Sequence, residues 1–107
     1  MSIFLKATEN DLDYVKLHFT HIEMVDEKKK SLLHYAVLGS AMDVIQFLID
    51  QNINVNMADQ HGETPLFDCA RKGKLDIAKL LITRFASVNV ENRQGELPIH
   101  LAAHKGD

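Results

Sequence analysis

The chain has 107 residues, 46% of them hydrophobic, which is enough to form one domain around a core of ordinary size. Its net charge of −3 gives no electrostatic reason to expect binding to nucleic acid or to an anionic membrane, since both favour a strongly basic surface. Cys69 is the only cysteine, which excludes an intrachain disulfide and favours a reducing compartment, so we expect a cytoplasmic protein.

The composition favours helices over strands. Aromatic residues make up 7% of the chain, tryptophan is absent and there are two prolines, whereas β-sandwiches depend on aromatic and β-branched strands separated by frequent turns. No apolar stretch approaches the ~20 residues that a membrane-spanning helix needs. We therefore expect an all-α protein that does not span a membrane.

The chain repeats with a period of 33 residues. Ser31, Thr64 and Leu97 occupy equivalent places in three successive units, and residues 7–17 align with residues 70–80 as a degenerate earlier copy. The period divides the single domain into a degenerate N-terminal capping unit, two complete units and an incomplete fourth unit, at residues 1–30, 31–58, 59–91 and 92–107.

Each unit is predicted to form a pair of helices. Ser31 and Thr64 are good N-caps for an inner helix, and Pro65 follows at the first helical position, where its missing N–H costs nothing. Gly73 marks the turn to an outer helix, with apolar residues at helical spacing after it. One pair cannot bury both of its faces, so the units are expected to stack.

Two segments resemble the signature of the ankyrin-repeat family, T-P-L-H-x-A-A-x-x-G. They are Thr64-Pro65-Leu66 with Cys69-Ala70 and Gly73, and Leu97-Pro98-Ile99-His100-Leu101-Ala102-Ala103 with Gly106. The resemblance implies an all-α ankyrin-repeat solenoid of stacked helix-turn-helix units joined by β-hairpin-like loops. It also implies a non-enzymatic module that binds another protein or a peptide.

Three departures from the family pattern predict local differences. Phe67 replaces the signature histidine, which removes one side-chain hydrogen bond in the third unit. Phe85 stands where the family usually has glycine and where a left-handed backbone is expected. The fourth unit lacks an outer helix, so Ile99, Leu101 and Ala102 are expected to have an uncovered side.

The candidate catalytic and metal-binding residues have simpler interpretations. His100 and His104 are four residues apart and could face one metal ion, but no cysteine or carboxylate nearby completes a ligand set. By the resemblance, His34 and His100 join helix and loop backbones, and Cys69 packs as a small buried residue. We therefore predict no enzymatic activity, no cofactor and no metal site.

The partner-binding residues are predicted from the family, whose members typically bind partners with the loop tips and the exposed side of the inner helices. Lysine and arginine outnumber acidic residues among the outward positions, which favours a partner with an acidic segment. The predicted partner-binding residues are Lys28, Lys30, Tyr35, Leu38, Gln60, His61, Glu63, Arg71, Lys72, Arg93, Gln94, Glu96, His104 and Lys105.

An alternative interpretation is structural. The uncovered side of the fourth unit would also fit the N-terminal part of a longer ankyrin array, or a module that self-associates through its open end. Nucleic acid is disfavoured as a partner, because the basic residues are interspersed with acidic ones.

Overall fold

The structure is a computed structural model that describes residues 2–106, with side chains described as far as residue 102. The described chain is elongated, with principal extents of 40 × 26 × 23 Å. Within residues 2–106 it forms seven helices and no strand, which are α1 (Ile3–Thr8), α2 (Leu12–His18), α3 (Leu32–Leu38), α4 (Met42–Asp50), α5 (Pro65–Lys72), α6 (Leu75–Thr83) and α7 (Pro98–Gly106).

The helices are arranged as stacked pairs. Helices α1, α3 and α5 each pack against the helix that follows them, and they also pack in series with one another and with α7. The four helices α1, α3, α5 and α7 therefore form an inner row, while α2, α4 and α6 lie outside it. This confirms the all-α stack of helix-turn-helix units predicted from the 33-residue period.

The inner helices α3 and α5 begin directly after their predicted N-cap residues, Ser31 and Thr64. The Ser31 hydroxyl accepts a hydrogen bond from the backbone N–H of His34 at 3.2 Å, and His34 Nδ1 accepts one from the N–H of Ser31 at 3.0 Å. Thr64 has the same extended backbone but caps α5 with no side-chain hydrogen bond. Its hydroxyl is buried and has no partner among the described residues, because Phe67 stands in place of the histidine that would bind it. The predicted loss of a hydrogen bond is confirmed.

The turn inside each pair uses a left-handed residue. Asn10, Ser40 and Gly73 occupy equivalent places and have φ values of 60°, 53° and 70°. Asn10 also links two units, because its side-chain oxygen accepts a hydrogen bond from the N–H of Val44 at 3.1 Å. A side chain at Gly39 would collide with the first unit, since an added Cβ would lie 2.0 Å from the carbonyl oxygen of Thr8.

The outer helices α4 and α6 are also followed by left-handed residues. Asn52 follows α4 with a φ of 63°, and Phe85 follows α6 with a φ of 76°. Asparagine tolerates this conformation, whereas a bulky residue is strained in it. The strain predicted at Phe85 is therefore present, and its ring is almost fully exposed to solvent.

The core runs along the stack between the two rows. Burying a side chain such as Leu48 or Leu81 contributes about 1.5–3 kcal/mol relative to leaving it exposed. Cys69 belongs to this core, and burial raises the pKa of its thiol to about 12, so it stays protonated and packs as predicted. No helix in residues 2–106 is both long enough and apolar enough to cross a membrane.

Candidate functional site

The loops between the units share one construction. Each loop begins with a side chain whose Oδ1 accepts hydrogen bonds from the backbone N–H groups two and four residues later, at 2.8–3.1 Å. These side chains are Asp26, Asp59 and Asn92. Each loop is consequently fixed by its own side chain before any partner arrives.

Adjacent loops are also joined to each other. The N–H of Gln60 donates to the carbonyl oxygen of Lys28, and the N–H of Arg93 donates to that of His61, both at 2.9 Å. The two bonds are 33 residues apart, so the same contact recurs with the repeat. The loop tips therefore form one continuous surface.

A buried ion pair links the first two loops. Lys30 Nζ lies 2.9 Å from Asp59 Oδ2, and the Asp59 side chain is almost completely buried. Burial alone would raise the pKa of Asp59, but the hydrogen bonds from Lys30 and from the backbone of Glu63 and His61 outweigh it and lower the pKa. The Lys30 charge is therefore neutralised within the chain.

A second ion pair connects the inner helix to the loops. Arg71 lies 2.7 Å from a Glu63 carboxylate oxygen and 3.3 Å from an Asp68 oxygen. Burial opposes the charge of Arg71, but its bond to Glu63 keeps its pKa above the usual value. The second Glu63 oxygen accepts from the Asn92 amide at 2.9 Å, so Glu63 joins α5 to the following loop.

The loops and α5 enclose a polar cleft of about 360 Å³, which we call the loop cleft. Four of its side chains are cationic and two are carboxylates, and those two carboxylates neutralise Lys30 and Arg71. Among the described residues, Lys28 and Arg93 have no ion-pair partner. The loop cleft is lined by Lys28, Lys30, Asp59, Gln60, His61, Glu63, Arg71, Asn92, Arg93 and Gln94.

A second concavity, of about 650 Å³, lies between α1 and α3, and we call it the N-terminal groove. Its floor is apolar, with the Phe4 and Tyr35 rings 5.4 Å apart, and its rim carries two carboxylates. Burial and a hydrogen bond from its hydroxyl to Asp26 raise the pKa of Tyr35 to about 12. The N-terminal groove is lined by Ser2, Phe4, Leu5, Thr8, Asp26, Glu27, Tyr35 and Leu38.

The comparisons with known proteins decide the family. A family model described as "Ankyrin repeats (3 copies)" matches residues 3–92. The chain belongs to the ankyrin-repeat family. Ankyrin repeats are generally protein–protein interaction modules, and ankyrin-repeat proteins are typically non-enzymatic.

Two curated relatives agree with this assignment. An ankyrin repeat-containing protein of Schizosaccharomyces pombe is 33% identical over 73 residues, which cover 65% of this chain and 35% of the relative. A protein of Acanthamoeba polyphaga mimivirus whose name describes ankyrin repeats is 35% identical over 66 residues, which cover 57% of this chain and 9% of the relative. The matched region thus spans about a third of the first relative's length and about a tenth of the second's.

The ankyrin stack places most of the predicted partner-binding residues together. Lys28, Lys30, Gln60, His61, Glu63, Arg71, Arg93 and Gln94 all line the loop cleft. Tyr35 and Leu38 lie in the N-terminal groove instead, because α1 packs beside α3. Lys72 is exposed at the end of α5, and Glu96 is half-buried and accepts a hydrogen bond from the Asn92 amide at 3.0 Å. The side chains of His104 and Lys105 lie outside the described residues.

Two histidines of this ankyrin chain, His34 and His100, have structural partners. His34 is buried, which lowers its pKa, and it binds the carbonyl oxygen of Glu63. His100 Nδ1 accepts a hydrogen bond from the N–H of Leu97 at 3.0 Å. In the part of the chain that the structure describes, no group of three or more histidine, cysteine, aspartate or glutamate residues could hold a metal ion.

That Asp59 and Asn92 line the loop cleft was not predicted from the sequence. Both had a recognisable signal, because each begins a D-x-x-G-like motif before Gly62 or Gly95. Each of these glycines has a φ of 76°, which explains why glycine occurs there. The motif thus marks the residues that support the cleft floor.

Proposed function

We propose that this ankyrin module binds a partner protein or peptide in the loop cleft, with an acidic segment of the partner against Lys28 and Arg93. The observation that carries the proposal is the division of the cleft's cations into two kinds. Lys30 and Arg71 are held by Asp59 and Glu63, whereas Lys28 and Arg93 lie on the exposed rim without an ion-pair partner among the described residues.

The fixed conformation of the loops supports a binding role rather than a purely structural one. Hydrogen bonds from Asp59 and Asn92 fix the loop backbones, so little conformational entropy is lost when a partner docks. The exposed side chains of Gln60, His61 and Gln94 add polar groups beside Lys28 and Arg93. Such a surface gives orientation and partner selection more than raw affinity.

The N-terminal groove adds an apolar part to the proposed binding surface. Leu38 is exposed and Tyr35 is half-buried over an apolar floor, which suits an apolar or aromatic side chain of the same partner. We propose a cytoplasmic setting for the complex, which the single, unreactive Cys69 supports.

Affinity capture with charge-reversed baits tests the proposal. The cleft variant is Lys28→Glu with Arg93→Glu, and the matched control is Lys79→Glu with Arg84→Glu, which makes the same change of charge on the outer helix α6 and at the residue directly after it. Wild-type and control baits are expected to retain the same proteins from a native lysate, while the cleft variant loses them. Capture that is equal for all three baits would refute the cleft as the binding site.

A further inference from the structure

The N-terminal groove and the loop cleft carry opposite charges. Among the described residues that line them, the groove has two carboxylates and no cation, whereas the cleft has four cations and two carboxylates. The two concavities meet in one loop, because Glu27 lines the groove and the next residue, Lys28, lines the cleft. The surface formed by the loops and the inner helices is therefore negative beside α1 and positive beside α5.

One position of the repeat follows this change of sign along the stack. Glu27, Gln60 and Arg93 are 33 residues apart, and each comes directly after the side chain that fixes its loop. Their side chains are negative, neutral and positive in turn, and all three residues are exposed. A partner that lies along the loop tips therefore meets a gradient of charge.

The floor of the N-terminal groove is apolar and lies between two units that the structure describes. Phe4 and Leu5 belong to α1, and Tyr35 and Leu38 belong to α3. Both leucines are exposed, so the floor is open to a side chain of a partner. An apolar side chain would cover this floor but would leave the charges at its rim without a counterion.

The two carboxylates at the rim are not neutralised within the described chain. Neither Asp26 nor Glu27 has an ion-pair partner there, in contrast to Asp59 in the following loop. Burial alone would raise the pKa of Asp26, but hydrogen bonds from the Tyr35 hydroxyl and from the loop backbone outweigh it and lower the pKa. The groove thus combines an apolar floor with a negatively charged rim.

We propose that the N-terminal groove binds an arginine side chain of the partner, with its aliphatic stem on the apolar floor and its guanidinium group at Asp26 and Glu27. The inference rests on the proposed function, since this arginine belongs to the partner whose acidic segment lies against Lys28 and Arg93. Arginine matches both the floor and the rim, because its stem is apolar and its end is always charged. Its planar group also stacks on aromatic rings, of which the floor has two.

The opposite charges of the two concavities also determine how the partner lies on the stack. When its arginine occupies the N-terminal groove, its acidic residues lie at the loop cleft, and the reverse placement brings like charges together. The partner is therefore a segment with an arginine at one end and acidic residues at the other.

A capped amino acid tests the groove without knowledge of the partner. The probe is N-acetyl-arginine methylamide, added to the intact chain at up to about 10 mM because a single side chain binds weakly. The methyl NMR signals of Leu5 and Leu38 are expected to shift, while those of Ile82 on α6 stay unchanged. The control probe is N-acetyl-citrulline methylamide, whose side chain has nearly the same shape but no charge, and it is expected to cause much smaller shifts.

Three protein variants establish where the probe binds. Glu27→Lys is expected to weaken binding at least tenfold, whereas Glu91→Lys, the same change at an exposed glutamate in the loop before α7, leaves binding unchanged. Lys28→Glu with Arg93→Glu alters the loop cleft and is expected not to weaken binding of the arginine probe, so the cleft and the groove can fail separately. Absence of methyl shifts, equal shifts with citrulline or an equal effect of the two glutamate variants would overturn the inference.

Discussion

His34 Nε2 donates a hydrogen bond of 2.8 Å to the carbonyl oxygen of Glu63, 29 residues further along the chain. Nδ1 of the same ring accepts from the N–H of Ser31, so the neutral tautomer with hydrogen on Nε2 fits both contacts. One side chain thus caps α3 and binds the next loop at the edge of the loop cleft. The proposed partner-binding surface and the stability of the stack are therefore coupled through His34.

We expect this coupling to make the stability depend on pH. Burial lowers the pKa of His34 below its ordinary value of 6.5, so the unfolded chain takes up a proton at a higher pH than the folded chain does. The free energy of unfolding should therefore decrease as the pH falls below about 6.5 towards the folded-state pKa. Urea denaturation at about pH 7.5 and about pH 5.5 measures this decrease.

The variant His34→Gln provides the control for that prediction. It removes the titrating group, so its loss of stability between the two pH values should be smaller than that of the wild type. At the higher pH the variant should itself be less stable, because the contacts to Ser31 and Glu63 are weakened. An identical pH dependence in both proteins would show that His34 is not the responsible group.

The two N-caps are expected to respond in opposite ways to loss of their hydroxyl groups. Ser31→Ala removes the capping hydrogen bond from the N–H of His34 and should destabilise the chain by about 0.5–2 kcal/mol. Thr64→Val removes a buried hydroxyl that has no partner in the described part of the chain and keeps the side-chain shape, so it should be neutral or stabilising. Thermal unfolding of the two variants compares them, and an equal loss of stability would contradict the assigned roles.

The Lys30–Asp59 pair is expected to show strong coupling in a double-mutant cycle. Lys30→Met leaves the buried Asp59 carboxylate without its cation and should cost about 1–3 kcal/mol of stability. Adding Asp59→Asn should recover most of that loss, because Asn92 performs the same backbone role one repeat later without a lysine. A double variant as unstable as the single one would indicate that the charge pair itself is not what matters.

Phe85→Gly is expected to stabilise the chain by about 1 kcal/mol, as the left-handed strain of ~1–2 kcal/mol is partly offset by the greater entropy of glycine in the unfolded state. The exposed ring contributes little burial, so its removal should cost little. Phe85→Ala removes the same ring but keeps a Cβ in the left-handed conformation. Equal stability of the glycine and alanine variants in chemical denaturation would place the effect in the ring rather than in the backbone.

Much of the fold follows from local signals in the sequence. Ser31, Thr64 and Leu97 predict the helix starts to within one residue, because caps, proline positions and the 33-residue period act locally. The left-handed position of Phe85 is also readable, since it stands in the place of the family's glycine. These features require no knowledge of distant contacts.

The ion pairs of the loop cleft could not be predicted from the sequence in the same way. The sequence counts Lys30 and Arg71 as cations facing a partner, but the folded chain neutralises both with carboxylates 29 and 8 residues away. Likewise, the alignment places Tyr35 on one continuous surface, whereas the packing of α1 puts it in a separate groove with Asp26. Pairings of this kind depend on three-dimensional distance, which the period alone does not give.

The affinity of a captured partner for the cleft variants tests the central claim most directly. The dissociation constant is measured for the wild type, for Lys28→Glu with Arg93→Glu, and for Lys79→Glu with Arg84→Glu. The account predicts binding about tenfold or more weaker for the first pair, with a reduced dependence on salt, and an unchanged constant for the second. Equal affinity of all three proteins for the partner would contradict it.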